Sequence, residues 1–254
     1  MTTPADLALL AGAGVLAGAV GSAGGITTLI SYPALLAVGI PPLSANVTNA
    51  VALVGSFSGS AIGSQPELRG QLAWLRGWVP LVTAGSGLGV ALLLLTPKRL
   101  FGQIVPFLLA GAAIALLCQP LLSRWLSTRE DQGARLLLPL GMLGVAIYSG
   151  YFGAGSGIIV LALLLLTGEQ HLPRANALKN MLLGIADVVA AILFLAFGPV
   201  RLEPALALGV GLLAGSTLGP AFTRRVPGGL VRVLAAIAGV GLAAWLWANP
   251  SSAT

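Results

Sequence analysis

Three residues could carry charge chemistry inside an otherwise apolar sequence. Lys179 and Asn180 stand at the start of an apolar stretch over about 177–198, and Asp187 lies ten residues into it. A lysine one turn into such a stretch either snorkels to the membrane interface or neutralises an anionic ligand. An acid at that depth faces a cavity or a partner, holds a structural hydrogen bond, or relays protons. Lys179 and Asp187 are eight residues apart, about 12 Å along a helix, so they do not pair directly. A second polar set, Asn46, Thr48 and Asn49, occupies the corresponding place earlier in the chain. In an apolar setting these side chains cap helices, bond between helices or donate to a ligand.

Two glycine clusters add backbone groups to this inventory. One reads Gly21-Ser22-Ala23-Gly24-Gly25, the other Gly150-Tyr151-Phe152-Gly153-Ala154-Gly155-Ser156-Gly157. Glycine disfavours helix interiors and tolerates irregular backbone. A helix that begins at such a break presents free N–H groups and a partial positive charge. Two such ends could cradle an anion, with Ser22, Ser156, Thr27 and Thr28 adding hydroxyls around Gly24, Gly25 and Gly157. The plainer reading is that the glycines only let helices pack closely.

The clusters belong to a duplication. Gly12, Gly18, Gly21, Gly25, Ile26, Leu29, Pro41 and Ala45 recur 132 residues later as Gly144, Gly150, Gly153, Gly157, Ile158, Leu161, Pro173 and Ala177. Gly85, Ser86, Leu88, Gly89, Pro97, Leu100 and Gly111 recur at an offset of 130. Paired breaks in two copies are a sequence pointer to a transport site.

Composition supplies the solvent for these elements. Hydrophobic residues make up 57% of the 254 and charged residues 8%, against about a quarter charged in soluble domains. Apolar stretches fall near 7–38, 43–64, 72–95, 100–122, 136–167, 177–198, 202–222 and 230–248, several near the roughly 20 residues that span a bilayer. The expected class is an all-α polytopic membrane protein. The net charge of +6 is not a nucleic-acid signal, because the basic residues sit singly or in pairs between apolar runs. Trp74, Trp78, Trp245 and Trp247 fit interfacial belts. A basic leader is lacking, so a cleaved signal peptide is not expected.

Stretches 7–38 and 136–167 are each 32 residues long, about 48 Å as one helix. Each is expected to be two helices of about 16 residues joined at its glycines. Charge supports hairpins. If both return to their starting side, ten Lys/Arg fall on one face and only Lys98, Arg99 and Arg201 on the other. The positive-inside rule then puts the ten in the cytoplasm and both termini outside. Single crossings would give no asymmetry. The expected organisation is two inverted repeats, 1–125 and 134–250, each a glycine-broken hairpin plus three transmembrane helices.

Enzyme signatures are missing. With one histidine, His171, and one cysteine, Cys118, no His/Cys metal cluster forms. No phosphate-binding loop ending in Lys-Ser or Lys-Thr occurs. Neither catalysis nor a cofactor is expected.

The ordered set of motifs resembles the TauE/SafE-type sulfite exporter family. The first glycine break, Pro41 and Ala45-Asn46-Val47-Thr48-Asn49 match its first half. The second cluster, Pro173, and the Gly85–Gly89 and Gly215–Gly219 runs match the remainder. The resemblance spans about residues 7–248. It implies a bacterial or archaeal inner-membrane transporter that exports small organosulfur anions such as sulfite or sulfonates. Thr48-Asn49 and Lys179-Asn180 depart from the Thr-Ser that is frequent in the family's first-half motif. A passive anion channel and an importer of an oxyanion such as thiosulfate are the alternatives. The bilayer and a small anion are the expected partners, nucleic acid is not, and a homo-oligomer is compatible with the sequence.

Overall fold

The computed structural model describes residues 2–126, 134–166, 169 and 171–223, with isolated positions between 237 and 247. Ten helices are described and no strand is found among these residues: α1 (Pro4–Gly24), α2 (Thr27–Ala37), α3 (Pro42–Gly63), α4 (Gln65–Leu68), α5 (Leu72–Leu95), α6 (Lys98–Leu126), α7 (Ala134–Tyr151), α8 (Ser156–Leu166), α9 (Leu172–Phe197) and α10 (Leu202–Thr223). Five of them contain a window long and apolar enough to cross a membrane, in α1, α5, α6, α9 and α10. The chain is therefore a multi-pass membrane protein. The last expected stretch, 230–248, lies outside the described residues.

Both long stretches break, but not at their middles. Thr3 caps α1 through a reciprocal pair with Asp6, and Pro4 fills the first turn. The helix then runs 21 residues, and α2 only 11. The second pair is 18 and 11 residues, so the expected lengths of about 16 are corrected. Gly14, Gly18 and Gly150 stay helical and pack against other backbones. The turn falls where φ becomes positive, at Gly25 (69°) in the first copy and at Gly153 and Gly155 (both 76°) in the second. Such angles suit glycine, which has no Cβ to clash.

Glycine also sets the helix packing. A Cβ added at Gly211 or Gly215 of α10 would strike the carbonyl of Ala11 or Val15 in α1. One at Gly85 or Gly89 of α5 would strike Leu143 or Ile147 in α7. Each pair of helices is parallel, since contacts advance in the same direction along both. The first helix of each copy thus packs on a helix of the other copy. Thr48 near the start of α3 bonds Arg201 just beyond α9, while Phe57 packs on Gly184. Those two contacts make α3 and α9 antiparallel.

The two interfaces are out of register. Val15 and Ile147 are counterparts at offset 132. Val15 O meets Gly215, but Ile147 O meets Gly89, whose counterpart at offset 130 is Gly219. Gly18 meets Leu212 O whereas Gly150 meets Ser86 O, the counterpart of Ser216. Ala11 O meets Gly211 whereas Leu143 O lies near Gly85, the counterpart of Gly215. All three differ by four residues, one helical turn or about 6 Å.

Candidate substrate site

The two breaks touch. A Cβ on Gly157 would lie 2.5 Å from Gly25 Cα, and one on Gly25 would lie 2.8 Å from Gly157 Cα. No side chain fits between them. Around this crossing is a cavity of about 60 Å³, several times the roughly 10–15 Å³ needed for one water. Thr27 and Thr28, the first residues of α2, line it, as do Ser156 and Gly157, the first residues of α8. Both helices therefore begin at the cavity wall, the end that carries partial positive charge. Ser156 Oγ donates to Gly153 O at 2.8 Å, which fixes the start of α8.

Helix α9 brings the charged groups. Lys179, Asn180 and Asp187 all line the cavity. Lys179 is wholly buried, so it does not snorkel to the interface. Its Nζ donates to Asn176 Oδ1 at 2.6 Å, one turn back on the same helix. Asp187 is half-buried.

Helix α3 supplies the opposite wall. Asn46, Asn49, Ser56 and Ser60 face the cavity. Asn46 Nδ2 donates to Tyr151 O at 2.9 Å and so ties α3 to the second break. Ser56 Oγ and Ser216 Oγ are hydrogen-bonded at 2.8 Å. Asn49 Oδ1 is buried and has no hydrogen-bond partner, which leaves an acceptor unsatisfied beside the cavity. Phe57 and Phe194 also line it and limit its polarity.

Most residues expected from the sequence converge here: Gly25, Asn46, Asn49, Ser156, Gly157, Lys179, Asn180 and Asp187. Thr48 does not. It is fully buried, and its Oγ1 accepts the N–H of Arg201 at 3.0 Å, which fastens the α9–α10 connection to α3. The side chain of Ser22 and the surroundings of Gly24 lie outside the described residues. Ser56, Ser60, Ser149 and Tyr151 are lining residues that sequence reasoning missed. For two of them a signal existed. Asn46, Asn49, Ser56 and Ser60 repeat at 3, 7 and 4 residues, a polar stripe on one helix face. No group of three His, Cys, Asp or Glu able to hold a metal occurs among the described residues.

The comparisons agree with this architecture. The family model described as sulfite exporter TauE/SafE matches residues 7–246. A probable membrane transporter protein, ORF9, of a Sinorhizobium species is 31% identical over 258 residues, covering 96% of this chain and 94% of its own. A probable membrane transporter protein of Haemophilus influenzae is 31% identical over 221 residues, covering 84% and 83%. The probable membrane transporter protein YfcA of Escherichia coli K12 is 27% identical over 224 residues, covering 86% and 81%. No solved structure matches. These relatives are named as transporters and none as an enzyme, and with glycine breaks meeting over a polar cavity the chain belongs to the TauE/SafE sulfite exporter family.

Proposed function

We propose that the protein is a secondary transporter that exports a small sulfur-containing anion, sulfite or an organosulfonate, across the cytoplasmic membrane. One observation carries this reading. The broken hairpins of both copies meet at Gly25 and Gly157 over a cavity that also holds the buried Lys179. A cation on the cavity wall favours a negatively charged ligand through charge-assisted hydrogen bonds. Two helix N-termini at the same cavity favour the same sign. Asn180, Asn46 and Ser156 are neutral groups in reach of a bound oxyanion, and Asp187 is the candidate for proton coupling. The two copies, 1–125 and 134–250, are read as inverted repeats with both termini outside. The parallel pairing of α1 with α10 and the antiparallel α3 and α9 support that reading. A monovalent anion leaving a cell gains about 2.3 kcal/mol per 100 mV of inside-negative potential, so export needs no coupling ion in principle.

The test is a ligand panel on purified protein. Sulfite, thiosulfate, sulfoacetate, taurine and chloride are scored for thermal stabilisation, then for counterflow in proteoliposomes. Binding at 100 times the dissociation constant stabilises by about 2.7 kcal/mol. Saturable flux with counterflow by sulfite or a sulfonate is expected. Flux without saturation or counterflow would make the protein a channel, and stabilisation by none of the panel would overturn the reading.

A further inference from the structure

A second, larger depression of about 440 Å³ opens at the start of α3, lined by Pro41–Ser44, Lys98 and Pro199–Arg201. None of its lining residues is acidic, and two carry full positive charge. Its walls are preformed, because three of the eight residues are prolines with fixed φ. The Thr48 bond to Arg201 N holds one wall against α3. It also lies near the inner cavity along α3 and α9. Asn46 and Asn49, which line that cavity, are only one to two turns further along α3, and Phe194 is one turn before Pro199. Lys98 and Arg201 are two of the three basic residues on the face read as external.

We propose that this depression is an outer anion vestibule, a low-affinity site for the same class of small oxyanion that the inner cavity binds. This rests on the anion-transport reading. Clefts lined by one sign of charge concentrate counter-ions and raise association rates by 10 to 1,000-fold, with steep salt dependence. The prediction is asymmetric. In oriented proteoliposomes, the double variant Lys98→Glu with Arg201→Glu should raise KM for sulfite on the outer side at least tenfold. It should also flatten the salt dependence there, with the maximal rate and the inner-side KM unchanged. The milder Lys98→Gln with Arg201→Gln should shift KM the same way by less. An unchanged outer KM in both variants would overturn the vestibule. If Lys179→Met also transports normally, the inner-cavity reading fails instead, so the two failures are separable.

Discussion

Lys179 Nζ donates to Asn176 Oδ1 at 2.6 Å, so the buried ammonium at the cavity is steadied by a neutral amide from its own helix. The amide orients the amine, and the lysine lines the cavity. Lys179→Met should therefore weaken anion binding by about 10- to 150-fold, the equivalent of a lost hydrogen bond to a charged group at ~1.5–3 kcal/mol. The substitution also removes the donor to Asn176 Oδ1, so affinity is compared only on the monodisperse folded fraction of each protein. Calorimetric titration with sulfite on wild type and variant decides it. Equal affinities would mean that the anion site rests on helix ends and hydroxyls alone.

The crossing of the two breaks predicts a sharp contrast between glycines. Gly157→Ala places a methyl 2.5 Å from Gly25 Cα, a backbone neighbour that cannot rotate away. It should lower thermal stability by ~1–3 kcal/mol, the usual penalty of overpacking, and reduce ligand binding with it. Gly12→Ala has no neighbour within 4 Å and sits inside a helix, so it should be neutral or stabilising by ~0.5–1 kcal/mol. Melting curves of both variants in one detergent give the comparison.

Asp187 lines the cavity from the helix that carries Lys179, eight residues away. If it couples protons to transport, Asp187→Asn should still bind sulfite but respond no longer to an imposed pH gradient. Counterflow, which needs no net driving force, should survive. Accumulation that remains pH-driven in the variant would move the coupling elsewhere or show that membrane potential alone drives export.

Topology has its own measurement. Reporter fusions at residue 254 and at position 2 should both report the outer side, as the ten-to-three division of basic residues requires. A cytoplasmic signal from the C-terminal fusion would undo the inverted arrangement and, with it, the assignment of Lys98 and Arg201 to the outer face.

The sequence made the breaks and most of the cavity legible because both leave one-dimensional marks. A glycine cluster in an apolar run stands out, and a lysine or aspartate there has no ordinary use. Asn46 and Asn49 were readable for the same reason. Thr48 was misplaced because spacing along a helix does not say which face meets a loop. Its neighbours two residues before and one after point to the cavity, whereas Thr48 itself points to Arg201. The helix lengths on either side of the breaks were less legible, because glycine serves two ends. Gly14 and Gly18 stay helical, and their missing Cβ atoms admit the α10 backbone. Such a role depends on a partner helix about 200 residues away.

Because α1 seats its glycines on α10 and α7 on α5, neither copy holds the partner for its own first helix. A fragment ending at Leu126 would carry α1 with its close-packing face turned to lipid, and a fragment starting at Ala134 would do the same with α7. Each would also lack half of the Gly25–Gly157 crossing. The duplicated chain thus behaves as a tethered heterodimer. Separately expressed fragments should be cleared when made alone and protect one another when made together, the covalent link in the intact chain contributing local concentration.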